Sequence, residues 1–461
     1  MRVVVFALAA FLAAGCGDAV AKPKPVTGTP GTAAGGQGGY PHASVADKPV
    51  EIVPMTRANA VGALERPAAL KRFFESLVRL EAQSAQDDVR IVQFGDSHTA
   101  SDVETAAIRH SLQSRFGDGG RGFVAIGRPW KRWFQEGVRV GMSNEWAPDK
   151  AKVEKGKLTG DGMYGLAGSG IFTRGRAARA WTDITAKTSR AEVWYLEQPA
   201  GGAFDVFIDG VRVVRVSTRG ERTLSQFRTF DVTENSAHQL EVRAAGDGDV
   251  RVYGVALDRA QHGVIYDALG INGAQIRTSI LTWNEQHWAE QLRHRAPALV
   301  VLAYGTNESV EDWINQQVHE RQVVDALGRI ARAVPTASCL IMGPVDRAIE
   351  SKDGWITTPR IQEIIAAQKR VAEAAGCGFY DQMAAMGGEG SMAQWATEGP
   401  PRAQRDRVHL TKEGYQQIGN SFASDLMRAY AVWRREVGLP ASPNRVVEPP
   451  PEPTPPPPAT D

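Results

Sequence analysis

Three short segments of this chain carry the residue types that acyl transfer from an ester requires. They are Gly95-Asp-Ser-His98, Tyr304-Gly-Thr-Asn307 and Asp406-Arg-Val-His409. A serine hydroxyl becomes a strong nucleophile when a histidine takes its proton and a carboxylate holds the other ring nitrogen. The oxyanion that forms then needs preorganised N–H donors. Each segment alone is typical of a turn or cap, but the three in this order predict a serine-based acyl-transfer site.

Individual residues in these segments have distinct expected roles. Ser97 is the expected nucleophile, His409 the general base, and Asp406 the carboxylate that fixes the histidine tautomer. The three-residue spacing lets one turn present the carboxylate and the imidazole on the same side. The Ser97 N–H and the Asn307 amide are two expected oxyanion donors. Gly273 is the best candidate for a third, from a loop N–H, and Gly270 is the next candidate.

The first segment indicates how the fold must position the nucleophile. The apolar run at residues 89–94 predicts a buried strand, Gly95 lets the backbone bend, and helical spacing starts near Asp102. This places Ser97 at the carboxyl end of a strand, where open α/β sheets bind their ligands.

Further apolar runs predict the rest of the sheet. Residues 298–303, 338–342 and 377–381 read as strands separated by helical spacing, and helical spacing also covers residues 61–83. Thr411 is the expected cap of a last helix. Strand–helix alternation predicts an α/β fold with a doubly wound parallel sheet.

A different pattern occupies residues 133–258. Apolar and polar residues alternate there, and Asp209-Gly210 between the runs at 204–208 and 211–216 is a strong hairpin signal. Several short strands at this spacing predict an all-β sandwich inserted between the chemical motifs.

Both ends of the chain predict segments outside the core. One early arginine, a short apolar run and Ala13-Ala-Gly-Cys16 resemble a lipoprotein export signal with Cys16 as the lipidated residue; a cleaved signal with an incidental cysteine is the alternative. Residues 17–50 suit a flexible tether, and 439–461 form a proline-rich tail that cannot pack a core. The mature protein is therefore expected to be exported and to face the periplasm or cell envelope.

Composition limits the classes of partner. The formal net charge of +1 gives no field for nucleic acid, and no metal-ligand spacing is present. The basic, aromatic run Arg128–Trp133 is read as a packed loop or as a wall for an anionic glycan. Cys339 and Cys377 start consecutive predicted strands, so a disulfide and two separate buried thiols both remain open.

The motifs together resemble the SGNH/GDSL hydrolase family. The family's serine, glycine, asparagine and histidine correspond to Ser97, Gly273, Asn307 and His409, with Asp406 beside the histidine. Two positions depart from the common pattern: residue 98 is histidine, read either as lining the pocket or as packing beneath the nucleophile turn, and residue 308 is glutamate.

These departures narrow the resemblance to one branch. The octapeptide Gly95–Asp102, with Phe116–Gly120 and Tyr304–Glu308, is similar to the bacterial peptidoglycan O-acetylesterases, although Ser101 stands where glycine is expected. That branch has a flavodoxin-like sheet and carries a β-sandwich resembling a carbohydrate-binding module between its serine and glycine blocks. The resemblance covers about residues 88–430. Together with the sequence patterns described above, it divides the chain into a lipoprotein signal at 1–16, a tether at 17–50, hydrolase parts at 51–132 and 259–438, an inserted sandwich at 133–258 and a tail at 439–461.

The expected function is a serine esterase that removes O-acetyl groups from cell-wall glycan without a cofactor or metal. The expected partners are this glycan and a membrane reached through the lipid on Cys16, with no nucleic acid; the sequence does not indicate an oligomeric state. The alternatives are an O-acetyltransferase, an esterase of another polysaccharide or a lipid, and a cell-wall-binding lipoprotein with an inactive hydrolase fold.

Overall fold

The computed structural model describes residues 60–443 except positions 132, 151, 155, 156, 186, 236 and 353. The predicted signal with Cys16, the tether and the tail beyond residue 443 lie outside these residues. No helix in the described part of the chain combines the length and the apolar character needed to cross a membrane.

A seven-stranded sheet runs through the part of the chain that contains the three chemical motifs. In chain order, its parallel strands are Val89–Gly95, Val264–Gly270, Leu299–Ala303, Ser338–Gly343 and Gly378–Asp381. Numbered in this order, they lie side by side as 2-1-3-4-5. This is the doubly wound order of flavodoxin-like sheets, and its switch point lies between the first and third strands.

One edge of the sheet is antiparallel, so the expectation of a wholly parallel sheet was wrong. The expectation of a single helix over residues 61–83 was also wrong. The elements found there are Ala60–Val61, Leu64–Glu65, the 3-10 turn Pro67–Leu70 and the helix Lys71–Glu81. Leu64 pairs with Tyr380 of the last parallel strand and is fully buried. Leu64 is therefore buried at the sheet edge, although its spacing in the sequence fits the face of a helix equally well.

Helices cover both faces of this sheet. Alternation along the first strand sends Val89 and Ile91 into one hydrophobic cluster and Val92 and Phe94 into the other. The longer helices are Lys71–Glu81, Glu104–Phe116, Glu285–Arg295, Gln316–Ala333, Pro359–Ala375 and Lys412–Glu436. The shorter ones are Ser97–Ala100, Gln382–Met386, Ser391–Thr397 and the 3-10 turn Glu308–Val310. Thr411 caps the last helix, as predicted.

The region of alternating residues forms two antiparallel sheets, and the second also includes Gly120–Val124, which precedes this region in the chain. One contains Val138–Met142, Arg179–Ile184, Ala203–Ile208, Val211–Ser217 and His238–Ala244. The other contains Gly120–Val124, Ala147–Lys150, Ser169–Thr173, Thr188–Glu197, Leu224–Asn235 and Val250–Asp258. A single hydrophobic cluster draws residues from both sheets. The predicted Asp209–Gly210 hairpin is present, with φ of 51° and 80°.

Two further hairpins lie outside these sheets. One joins Lys152–Glu154 to Lys157–Thr159. The other joins Ala348–Ser351 to Gly354–Thr357 and is called the Trp355 hairpin.

A disulfide joins Cys339 to Cys377 and resolves the alternative that the sequence left open. Cys339 lies in the fourth parallel strand and Cys377 directly precedes the fifth, so the bond ties neighbouring strands of the central sheet.

Candidate active site

Ser97 lies where the first parallel strand turns into a helix. The strand Val89–Gly95 ends two residues before it, and the short helix Ser97–Ala100 begins at the serine itself. A Cβ on Gly95 would lie 2.1 Å from the hydroxyl oxygen of Thr99. The turn can be this tight because Gly95 has no side chain.

His409 and Asp406 extend a series of hydrogen bonds that starts at Ser97. The Ser97 hydroxyl lies 2.9 Å from Nε2 of His409, and Nδ1 of His409 lies 2.7 Å from Oδ2 of Asp406. The other carboxylate oxygen accepts the N–H groups of Val408 and His409, each over 3.0 Å. These bonds close a tight turn, with Arg407 at a φ of 54°, that presents carboxylate and imidazole together.

The charge on Asp406 follows from this turn. Burial raises the pKa of Asp406, but the backbone N–H and ring of His409 and the N–H of Val408 outweigh burial and hold the pKa below its ordinary value. An ionised Asp406 keeps the proton of neutral His409 on Nδ1. Nε2 is then free to accept the proton of the Ser97 hydroxyl.

The two oxyanion candidates follow the strands on either side of the nucleophile strand. Asn307 comes after Leu299–Ala303, and Gly273 comes after Val264–Gly270. The Asn307 amide donates one N–H to the Ala274 carbonyl over 2.9 Å, which ties the two loops together and leaves its second hydrogen available. Gly273 is exposed at a φ of 75°.

Two backbone N–H groups near Ser97 are available to a ligand. Ser97 is the first residue of its helix, where N–H groups have no partner within the helix. Within the described residues, neither the Ser97 N–H nor the Gly273 N–H has a hydrogen-bond partner. The arrangement can therefore supply an activated hydroxyl together with backbone and amide donors.

Glu308 stabilises the loops that carry Gly273 and Asn307, which are called the oxyanion loops. The sequence did not predict this role. The Glu308 side chain is fully buried and accepts the Ile276 N–H over 2.9 Å. Gln275 reinforces the link by donating to the Asn307 carbonyl over 3.1 Å. Burial raises the pKa of Glu308 to about 7.

His98 packs beneath the nucleophile turn rather than lining an open pocket. It is buried, and its Nδ1 shares a hydrogen bond of 3.0 Å with the Tyr415 hydroxyl. Burial, followed by repulsion from His409, lowers the pKa of His98 to about 3. His98 is therefore a neutral support and cannot replace His409 as the base at neutral pH.

A cluster with metal-ligand chemistry lies at the other end of the nucleophile strand. Among the described residues, Asp87, Asp88 and His262 come close enough to share an ion. Both carboxylates already accept hydrogen bonds from Arg90. The cluster lies at the amino end of Val89–Gly95, so it has no part in the arrangement around Ser97.

Comparison with known proteins relates this arrangement to a family. Residues 232–417 match the GDSL-like lipase/acylhydrolase family. The match includes Gly273, Asn307, Asp406 and His409, whereas Ser97 lies before it. No match was found among curated protein sequences.

One solved structure extends the likeness to most of the chain. A peptidoglycan O-acetylesterase is 25% identical, with a TM-score of 0.67, over 80% of this chain and 99% of its own. An acetylxylan esterase from Geobacillus stearothermophilus is 18% identical, with a TM-score of 0.27, over 39% of this chain and 74% of its own. A family two carbohydrate esterase from Clostridium thermocellum is 10% identical, with a TM-score of 0.24, over 56% and 94%.

Proposed function

We propose that this chain, in which residues 232–417 match the GDSL-like lipase/acylhydrolase family, removes O-acetyl groups from a cell-wall glycan through Ser97. The observation that carries the proposal is the hydrogen-bonded series from the Ser97 hydroxyl through His409 to Asp406. The substrate class is supported by the likeness to the peptidoglycan O-acetylesterase.

The geometry supports a two-step hydrolysis. Ser97 Oγ attacks the acetyl carbonyl while His409 Nε2 takes its proton, and the imidazolium then gives this proton to the departing sugar oxygen. Water attacks the acetyl-serine, again losing a proton to His409, which returns it to Ser97 as acetate leaves. Asp406 stays ionised throughout and stabilises the imidazolium.

In this mechanism the negative charge of each tetrahedral intermediate is stabilised by N–H donors. The Ser97 N–H, the Gly273 N–H and the Asn307 amide are the proposed donors. They are available before the substrate binds, so little reorganisation is needed as the charge develops.

We also propose that residues 133–258 form an inserted all-β domain resembling a carbohydrate-binding module. The two antiparallel sheets and their shared hydrophobic cluster support this assignment. Export and anchoring through a lipid on Cys16 are proposed from the sequence alone.

Acetate release from O-acetylated peptidoglycan tests the proposal. The wild type should release acetate from this substrate faster than from acetylated xylan, and the Ser97→Ala variant should release none from either. Transfer of the acetyl group to an added sugar instead of water would indicate a transferase. Equal hydrolysis of p-nitrophenyl acetate by the variant and the wild type would contradict the role of Ser97.

A further inference from the structure

One exposed tryptophan lies on the side of the oxyanion loops. Trp313 is 48% exposed, and the Arg277 guanidinium lies 4.9 Å from the centre of its ring. The indole N–H donates to the Glu311 carboxylate over 3.0 Å. Gln275, close to Arg277 in the chain, donates to the Asn307 carbonyl. Gln275 also donates to the Glu311 carboxylate over 3.4 Å, which links the partner of Trp313 to the backbone of Asn307, a proposed oxyanion donor.

A second exposed tryptophan lies on the side of the proposed base. Trp355 is 40% exposed, and the Arg407 guanidinium lies 3.8 Å from its ring centre. Arg407 belongs to the turn that holds His409. The Ala348 N–H donates to the Arg407 carbonyl over 3.2 Å, which attaches the Trp355 hairpin to this turn.

A third arginine connects the two sides. Arg347 directly precedes the Trp355 hairpin and donates to the Thr306 carbonyl over 3.1 Å, next to Asn307. It is half-buried. Burial lowers the pKa of Arg347, while the nearby Asp406 opposes this effect. The guanidinium therefore lies between the oxyanion loop and the Asp406–His409 turn.

The three arginines lack the carboxylate partners that such groups usually have. Within the described part of the chain, none of Arg277, Arg347 and Arg407 forms an ion pair. The Nε atoms of Arg277 and Arg407 are also buried without a hydrogen-bond partner. Two neighbouring carboxylates already have partners, Glu311 in Trp313 and Asp406 in His409. Positive charge around the ester site is therefore left to be neutralised by a ligand.

We propose that these five side chains bind a glycan that carries free carboxylates along with the acetyl ester. A sugar ring packs on the open face of each tryptophan, and carboxylates of the chain contact the arginines. This inference rests on the proposed function and narrows its substrate to acidic glycans. The carboxylate can come from a sugar acid or from a peptide attached to the sugar; both present the same anion.

Four acetylated substrates test whether the enzyme prefers a glycan with carboxylates to a neutral glycan, and which source supplies the carboxylate. They are glycan strands with free sugar carboxylates and no peptide, strands that retain their peptides, neutral xylo-oligosaccharides and p-nitrophenyl acetate. The wild type should show a kcat/KM at least about tenfold higher on a carboxylate-bearing glycan than on the neutral one at low salt, and added salt should reduce this preference. The better of the two charged substrates identifies the source of the carboxylate.

Variants assign the preference to the named residues. Arg277→Gln and Arg347→Gln should each reduce the ratio of charged to neutral kcat/KM about five- to tenfold, mainly through KM, because each loses a charge-assisted contact. Trp313→Ala and Trp355→Ala should raise KM for every glycan relative to p-nitrophenyl acetate. Arg222→Gln, at an exposed position of the antiparallel region, is the matched control and should leave the ratio unchanged.

Binding to the Ser97→Ala variant keeps this test separate from catalysis. Calorimetry should show tighter binding of the carboxylate-bearing strands than of neutral oligosaccharides, and Arg347→Gln in the same background should abolish the difference. Equal affinity for charged and neutral glycans would overturn the inference even if the enzyme hydrolyses acetyl esters. A wild type inactive on p-nitrophenyl acetate would contradict the proposed function, while the binding preference would still decide the inference.

Discussion

The imidazole of His98 stacks on the imidazole of His409, with ring centroids 5.3 Å apart and ring planes 29° from parallel. The two rings differ in environment, since His98 is buried whereas 35% of the His409 side chain is exposed. The Tyr415 hydroxyl shares a hydrogen bond with His98, and the two rings pack edge to face. The position of the proposed base is therefore fixed by a neutral ring as well as by the Asp406 carboxylate.

Removing this support should lower turnover more than substrate binding. His98→Ala leaves a gap beneath His409, and we expect kcat to fall about ten- to a hundredfold with little change in KM, since small misplacements of a catalytic group carry such costs. Steady-state kinetics on p-nitrophenyl acetate measures the split. Tyr415→Phe, which keeps the ring but removes the hydroxyl, should have a smaller effect. A change confined to KM would show that His98 contacts substrate instead.

Loss of the Asn307 amide should slow the chemical step. Asn307→Ala removes a proposed oxyanion donor, so kcat should fall about a hundredfold or more while the protein stays folded. Kinetics with thermal unfolding as a check of stability measures this. Asn272→Ala, at an exposed position of the neighbouring loop, is the matched control and should retain most activity. Equal losses in both variants would argue against a specific role for Asn307.

Glu104 should make stability fall as pH rises. Burial, reinforced by Asp96, raises the pKa of Glu104 to about 8, although Gln382 donates to its carboxyl over 2.5 Å. The folded protein keeps this proton above the unfolded pKa, where the unfolded chain has lost it. The contribution of Glu104 to the free energy of unfolding is therefore fully present at low pH. It falls as the pH rises towards 8, by at most about 1.4 kcal/mol per pH unit.

Urea unfolding of Glu104→Gln at pH 5, 6.5 and 8 tests this sign. The neutral amide cannot ionise, so the free energy of unfolding of the variant should increase relative to that of the wild type as pH rises. The exposed Glu389→Gln should follow the wild type at all three values. A constant difference between Glu104→Gln and wild type would contradict the raised pKa.

The Cys339–Cys377 disulfide should contribute to stability without contributing to chemistry. It closes a loop of 38 residues, for which chain entropy predicts about 4 kcal/mol as an upper value. Replacing both cysteines by serine should lower the unfolding temperature and leave kcat unchanged at temperatures where the variant is folded. Reductant should destabilise the wild type and not the double variant. An unchanged unfolding temperature would show that the bond does not constrain the unfolded chain.

Continuous apolar sequence makes a strand of the central sheet easy to predict. Leu299–Ala303 is continuously apolar and was predicted, whereas the buried Val264–Gly270 was not. Asp267 interrupts the second strand, and its charge is matched by Arg295 at 2.6 Å and by the Phe123 N–H at 2.7 Å. These partners are distant in the chain, so no local pattern shows that a carboxylate is tolerated there.

The candidate site was easier to predict than its surroundings. Ser97, Asp406 and His409 were expected to meet because their residue types complete one chemistry, and the structure brings them together. The contact of His98 with Tyr415 spans 317 residues and leaves no local signal. The Trp355 hairpin was missed for the same reason, because its attachment to the Asp406–His409 turn depends on a long-range backbone hydrogen bond.

The order of the strands along the chain also bears on how the protein is made. Val89–Gly95 pairs on both sides, with Val264–Gly270 and with Leu299–Ala303, and both of these strands follow the whole antiparallel region in the chain. During synthesis on the ribosome this apolar strand emerges long before either partner exists, and pairings so distant in sequence form slowly. Ser97 is therefore carried by a strand of the nascent chain that stays unpaired, and so prone to aggregation, until both partners have been made.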